Sequence, residues 1–173
     1  MLIKGPFTIY WGDQDNPKHE VTNIEAIDLS YEQASNDYTT IDGRTTTVFG
    51  AMSVSAAITF LESDIETLGK VVPQYLIEPG QKTSTGEKST SPMIDVVSAA
   101  CDAEEYRRDL DIIACGGENA EVLRLKNCRT SLSTFTLENN QVRTIQVTFT
   151  GEPEQGEAVM QIFKNGTLSA YSA

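Results

Sequence analysis

Residues 131–151 read SLSTFTLENNQVRTIQVTFTG, and this stretch decides the fold. Ile145, Val147 and Phe149 recur at every second position with threonine and glutamine between them, which is the period of a half-buried β-strand. Asn139 and Asn140 tolerate the positive φ angles of a tight turn, so the stretch is predicted to be a β-hairpin. Its polar face carries hydroxyl and amide groups rather than charges, which suits a wall or a lining better than an active site.

The same alternation predicts strands along most of the chain. The clearest example is residues 50–61, where Val54, Ile58 and Phe60 alternate with small and hydroxyl-bearing residues. We expect these three side chains to face inward together with Ile145, Val147 and Phe149. Further strands are predicted at residues 7–11, 21–31, 93–100, 108–114, 121–129 and 158–163, whereas residues 35–44 are predicted to form a polar turn around Asp42 and Gly43.

One short helix and one long loop interrupt the strands. Ser63 and Glu66 have capping-box spacing, Ile65, Leu68 and Val72 share a helical face, and the following proline ends a helix over residues 64–72. Residues 79–92, PGQKTSTGEKSTSP, have no apolar side chain except the prolines, so we expect a loop that is mobile in a free subunit. The prediction is therefore a single mainly-β domain over residues 1–173, a β-sandwich or barrel with one short flanking helix and a long polar loop.

Length and charge limit the function. A chain of 173 residues buries about two thirds of its unfolded surface. No apolar run has the length of a signal peptide or a membrane helix, so we expect a soluble, unexported protein. Its net charge of −12 disfavours binding to nucleic acid, because such binding depends on Lys and Arg meeting phosphates. Cys101, Cys115 and Cys128 form no C-x-x-C pair and are expected to be buried free thiols in a reducing cytoplasm.

Motifs for catalysis and for cofactors are missing. A catalytic relay could use only His19, and no G-x-S-x-G frames a nucleophile. Residues 80–89 approach a phosphate-binding loop, but the glycine spacing is wrong and a strand rather than a helix is predicted to follow. Asp13 and Asp15 begin like a calcium loop, but Pro17 stands where a ligand belongs. We therefore expect no enzyme activity, no cofactor and no metal.

The order of elements resembles the major tail tube protein of long-tailed bacteriophages, which is similar in fold to the type VI secretion tube subunit. The resemblance lies in the strand 50–61 that runs through Glu62 into the helix 64–72, and in the loop 79–92 after it. It continues in the hairpin 132–150, which leads into Gly151, Glu152 and Pro153 and a last strand.

That resemblance implies a structural protein of the virion tail, assembled in the host cytoplasm. Its subunits form hexameric rings whose inner strands join in one barrel, and the rings stack into a hollow tube for the genome. The implied partners are further copies of the chain and the tape-measure, tail-terminator and distal tail proteins. DNA is passing cargo that is not bound, and no membrane is involved.

Two sets of residues are assigned to this tube. The channel lining is expected to combine hydroxyl and amide groups with acids at strand ends, because an acidic wall lets DNA slide without adhering. Its candidates are Asp42, Ser53, Ser55, Thr59, Glu62, Glu138, Thr144, Gln146, Thr148 and Glu152. The contact between rings is expected from the loop residues Gln81, Lys82, Thr83, Ser84, Thr85, Gly86, Glu87 and Lys88.

A binding module is the main alternative from the residues, and an enzyme is a third class that the single histidine and the missing nucleophile motif disfavour. A β-sandwich could bind a sugar or a protein through the loops 12–20 and 79–92, although few aromatics stand in the loops and Trp11 and Tyr75 sit at strand or helix ends. A tail terminator of the same fold is a further alternative. Rings or filaments of the purified chain would distinguish a tube subunit from a monomeric binder and from an enzyme.

Overall fold

The residues that the structure describes form a mainly-β fold with one short α-helix, which confirms the predicted fold class. A computed structural model describes residues 7–12, 19–21, 24–61, 65–96, 106–114, 120–136, 144–152 and 156–164. In chain order the elements are β1 (Phe7–Gly12), β2 (His19–Val21), β3 (Ile24–Thr39), β4 (Thr45–Leu61), α1 (Ile65–Val71), a 3₁₀ turn (Pro73–Tyr75), β5 (Leu76–Ile77), β6 (Met93–Ile94), β7 (Arg108–Ala114), β8 (Glu121–Thr136), β9 (Thr144–Gly151) and β10 (Met160–Lys164).

One antiparallel sheet holds most of these strands. Its order is β2-β1-β7-β8-β9-β4-β3, with β10 also paired to β8, while β5 and β6 form a separate hairpin. In a flat sheet β1 and β9 would lie roughly 14 Å apart, because neighbouring strands are about 4.8 Å apart. The rings of Trp11 on β1 and Phe149 on β9 are nevertheless only 4.9 Å apart, centroid to centroid. The sheet therefore folds back on itself around its core.

The core forms where the alternating strands turn their apolar side chains inward. Val54, Ile58 and Phe60 of β4 are buried, and so are Ile145, Val147 and Phe149 of β9, which confirms the predicted inward faces. The register of β4 with β9 puts both sets on the same side of the sheet, since Ile58 lies directly opposite Val147. β1, β7 and β8 complete one continuous apolar cluster with Ile9, Trp11, Leu110, Ile112, Leu123 and Leu125.

Helix α1 closes one side of this core. It spans Ile65–Val71 and buries Leu68, as its periodicity predicts, but the prediction that Ile65 shares the buried face is wrong because that side chain is 47% exposed. A Cβ on Gly69 would stand 2.8 Å from Leu76 Cδ1, so the glycine permits close packing of the helix on β5. The amide of Gln74 donates a hydrogen bond to the Thr130 carbonyl and ties this region to β8.

The largest departure from the predicted elements lies at residues 35–44. This segment is not a polar turn, because β3 continues to Thr39 and β4 begins at Thr45, so only residues 40–44 form the turn. β9 ends opposite Val54, beyond which β4 pairs with β3 alone. Residues 31–39 and 45–53 thus form a projecting two-stranded hairpin, here called the arm, in which every residue is exposed. Gly43 at its tip has a φ of +80°, as the Asp42-Gly43 turn signal predicts.

Strand β8 forms the spine of the other half of the sheet. It runs without interruption through Glu121–Thr136, where a strand ending at residue 129 and a separate hairpin are predicted. β9 and β10 follow one another along the same side of β8, pairing with its second and first halves respectively. At their junction Asn127 adopts a positive φ of 48° and donates from Nδ2 to the Glu152 carbonyl.

Candidate assembly surfaces and channel face

The polar residues predicted to line a channel share one face of the sheet. In the register of β4 with β9, Ser55 lies opposite Thr150, Ala57 opposite Thr148, and Thr59 opposite Gln146. These positions alternate with the buried residues of the same strands. The structure thus brings together Ser53, Ser55, Thr59, Thr144, Gln146 and Thr148, here called the hydroxyl face.

The hydroxyl face extends over the strands on either side. The hydroxyls of Ser30 on β3 and Ser55 on β4 are hydrogen bonded at 2.7 Å. The hydroxyls of Ser133 on β8 and Thr148 on β9 are also hydrogen bonded to each other. Side chains from β3, β4, β9 and the second half of β8 therefore build one wide polar surface.

The acids on this surface differ from the predicted ones. Asp28 lies opposite Ala57 and Glu32 opposite Ser53, so both exposed carboxylates of β3 share the hydroxyl face. Sequence reasoning missed them, although a period of two along the predicted strand 21–31 puts Asp28 and Ser30 on the face opposite Ile27 and Leu29.

The four predicted acids have different surroundings. Asp42 lies at the tip of the arm, where the hydroxyl of Thr40 donates to its carboxylate and lowers its pKa. Glu152 is shared between Arg107 Nη2 at 3.1 Å and Arg129 Nη2 at 3.0 Å, so its charge is locally compensated. Glu62 and Glu138 lie outside the described residues.

The loop 79–92 connects β5 to β6 and is folded through its own backbone. Gly80 N–H donates to the Ser89 carbonyl, Thr83 N–H to Glu87, and Ser89 N–H to Gln81. Backbone groups of the loop thus pair with each other, which gives it an internal reason to fold that its composition does not reveal. Its mobility in a free subunit stays a prediction.

Asp95, the residue directly after β6, binds the same loop. Its carboxylate accepts hydrogen bonds from Ser84 N–H at 2.6 Å and from the Ser84 hydroxyl at 3.1 Å. Lys82 and Lys88 lie directly opposite each other across an isolated antiparallel bridge. Both residues are exposed, and here they are called the lysine pair.

A ladder of buried charges crosses β7 and β8, and sequence reasoning missed it. Arg124 donates from Nε and Nη2 to the two carboxylate oxygens of Asp111 at 2.7 and 2.9 Å. The next acid along β7, Asp109, accepts from Lys126 Nζ at 2.7 Å and from Asn127 N–H at 2.9 Å. A signal for this ladder was present in the sequence, because two acids stand at alternate positions of one predicted strand and two cations stand at alternate positions of the next.

The surroundings of this ladder favour a structural role. Arg124 and Asp111 are 3% exposed, and the guanidinium carbon lies 5.1 Å from the centre of the Phe163 ring on β10. The fork geometry and the cation–π contact fix the register of three strands.

The thiol of Cys128 is free and buried, as predicted, and burial raises its pKa. Cys101 and Cys115 lie outside the described residues. Where the structure describes the chain, no three His, Cys, Asp or Glu side chains are grouped to hold a metal ion. No helix among the described residues is long and apolar enough to span a membrane.

Comparison with known proteins assigns the fold through structure rather than sequence. No family model matches the chain, and no curated protein does. The chain is similar to a protein in the tail of an empty gene transfer agent particle, solved by helical refinement with C6 symmetry. The identity is 9%, the TM-score is 0.50, and the match covers 91% of this chain and 94% of the other.

A second similar structure is the cap that terminates the tube of the anti-feeding prophage. Here the identity is 10%, the TM-score is 0.50, and 95% of each chain is covered. The protein thus has a tail-tube-like fold, as the resemblance in its order of elements predicts.

Proposed function

We propose that this protein is a structural subunit of the tail tube of a phage-like particle. In this proposal six copies close a ring, the rings stack, and the hydroxyl face lines the channel through which the genome passes. The observation that carries the proposal is the hydroxyl face itself, a polar surface shared by strands of one sheet on the opposite side from the core. The tail-tube-like fold supports it independently.

The sheet has an edge that suits ring closure. β3 ends the strand order, so within the described residues one side of this strand has no partner strand. Its 16 residues offer a free edge about 50 Å long. Such edges promote aggregation unless they are covered, and a ring of copies covers every one of them. Heterologous contacts of this kind close only if the rotation between copies divides a full turn.

The channel lining is proposed to be the hydroxyl face with Asp28 and Glu32 as its acids. Hydroxyl and amide groups carry no net charge that would attract phosphates electrostatically, and carboxylates repel them. In a ring both acids would recur in every copy. At physiological salt the Debye length is about 8 Å, so DNA in a narrow channel would still experience this charge.

The tail proteins that begin and end the tube, and the tape-measure protein inside it, are the proposed partners beyond further copies of this chain. A terminating cap is the second candidate function, and the similarity to the anti-feeding prophage cap favours it. A cap forms rings but does not polymerise, so the two functions differ in one measurable property.

We expect the purified chain to form six-fold rings, and at raised concentration filaments, because one subunit carries separate surfaces for both contacts. Negative-stain microscopy with class averaging gives the symmetry, and sedimentation velocity gives the fraction assembled. Rings that never stack would support the cap. A chain that sediments as a monomer at every concentration would contradict both functions.

We expect the double variant Asp28→Lys, Glu32→Lys to assemble normally but to retain DNA. The change replaces negative by positive charge on the hydroxyl face, and six-fold repetition multiplies it. Co-sedimentation of assembled tubes with short DNA at low salt measures retention, which should disappear as salt is raised.

The matched control is Glu121→Lys, Glu157→Lys, which makes the same change of charge at two other exposed positions. The control and the unmodified tubes should retain no DNA. Equal retention by both variants would place the lining on another surface.

A further inference from the structure

The face of the arm that continues the core face of the sheet is apolar and uncovered. Register places Tyr31 opposite Val54, Gln33 opposite Met52, and Ser35 opposite Phe49. Val54 is buried in the core, so the residues on this side of the arm extend the same face outward. On this face Tyr31, Phe49 and Met52 of the arm are 74%, 65% and 41% exposed, and Leu29 on β3 just before the arm is 45% exposed. These four residues are here called the arm face.

Such a surface indicates an interaction site. A two-stranded hairpin is marginally stable alone in water, and contiguous apolar patches are uncommon on monomeric soluble proteins. The bulge at Gly50 keeps Phe49 on this side, and a Cβ at Gly50 would stand 3.2 Å from Ala34 Cβ. Glycine at this position therefore allows β3 and β4 to approach each other closely at the bulge, and the bulge keeps Phe49 on the same side of the arm as Met52.

A carboxylate follows the arm face toward the tip. Asp37 lies opposite Thr47 on the same side, and the Thr47 hydroxyl donates to its carboxylate at 2.6 Å. The hydrogen bond orients the exposed carboxylate beside the apolar patch. A complementary surface should therefore be partly apolar, with positive charge at one end.

The lysine pair supplies positive charge of this kind. The hydrogen bonds from Thr83 N–H and Ser89 N–H flank Lys82 and Lys88, so the two lysines form a non-hydrogen-bonded pair, in which side chains are closest. Like charges directly opposite each other are destabilising. No ion pair joins either ammonium to a carboxylate in the described part of this chain, whose net charge is −12.

We propose that the arm packs on a second copy of this chain, with its arm face covered and Asp37 placed between Lys82 and Lys88 of that copy. A carboxylate there removes the repulsion within the lysine pair. The occupant is a second copy because both halves of the charge complementarity are present in every chain. This inference rests on the proposed function and specifies which surfaces make its contacts.

Charge reversal tests the pairing of Asp37 with the lysine pair. We expect the single variant Asp37→Lys to reduce filament formation at least tenfold in sedimentation assays. The double variant Lys82→Asp, Lys88→Asp should have an effect of the same size. An equal mixture of the two variants should restore filaments, because each arm then meets an acceptor of opposite charge in alternating copies. Circular dichroism of the separate variants checks that both are folded.

Substitutions on the two sides of the arm test the apolar part. We expect Phe49→Ser with Met52→Ser to raise the critical concentration for assembly at least tenfold. The matched control is Tyr38→Ser with Val48→Ser, on the opposite side of the arm, whose side chains are 58% and 51% exposed. The control should assemble at the concentration of the unmodified chain.

The outcomes separate this inference from the proposed function. If the unmodified chain forms filaments but the mixture of charge variants does not, the proposed arm contact is wrong, whereas the proposed function as a tube subunit is unaffected. Equal effects of the two serine variants also overturn the arm contact. An unmodified chain that never assembles overturns the proposed function, and the arm contact with it.

Discussion

Replacing Phe149 by alanine should lower the free energy of unfolding by about 3–5 kcal/mol. The side chain is fully buried at the centre of β9, and its ring meets the Trp11 ring edge-on at an interplanar angle of 70°. Truncation therefore removes buried apolar area, leaves a cavity and breaks the contact that joins β1 to β9. A domain with ordinary stability of about 5–15 kcal/mol would lose a large part of it. Urea unfolding of the unassembled subunit measures the change.

Phe49→Ala is the matched control, because it removes the same atoms from a side chain that is 65% exposed on the arm. Its effect on the unassembled subunit should stay within about 0.5 kcal/mol. A near-neutral result for Phe149→Ala would contradict the inward orientation of β9 and would place its threonines in the core.

The second large effect is expected at the buried ion pair of β7 and β8. Arg124→Met should cost about 3–5 kcal/mol, because it leaves the carboxylate of Asp111 buried without its guanidinium. The double variant Asp111→Leu, Arg124→Met should recover most of the loss, since buried ion pairs are often replaceable by apolar residues of similar volume. Chemical unfolding of the single and double variants gives both values.

The exposed pair of Arg44 and Asp42 provides the comparison. Its atoms lie 3.6 Å apart and the side chains are 86% and 61% exposed. Arg44→Met should therefore leave the free energy of unfolding almost unchanged. If Arg124→Met were equally mild, the buried pair would not hold the register of these strands.

Sequence alone predicts the faces of the strands well and their lengths poorly. The alternation in β4 and β9 has period two, and this period by itself assigns Phe149 and Thr148 to opposite sides of the sheet. The arm could not be predicted in this way. Residues 35–39 contain Ser, Asn and Asp, which favour turns, and they form a strand because β4 pairs with them.

Partners across strands explain the other differences. The loop 79–92 has no apolar side chain, but its fold depends on backbone hydrogen bonds and on Asp95, which composition does not reveal. The pair of Arg124 and Asp111 requires the register of β7 with β8. On the hydroxyl face, the hydroxyl-bearing residues followed from alternation, whereas placing Asp28 and Glu32 there required knowing that β3 pairs with β4.

The position of β9 in the sheet determines when the subunit can finish folding. β9 lies between β4 and β8, although residues 144–151 are synthesised long after β4. Pairs such as Val54 with Gly151 and Phe7 with Ala114 join residues about a hundred positions apart, so the folding rate should be in the slow range for a domain of this size. The hairpin of β3 and β4 can form early on the ribosome, but the inner edge of β4 stays open until β9 is inserted. Nascent chains therefore carry an unpaired edge from the synthesis of β4 until that of β9, and such an edge promotes association between chains before folding is complete.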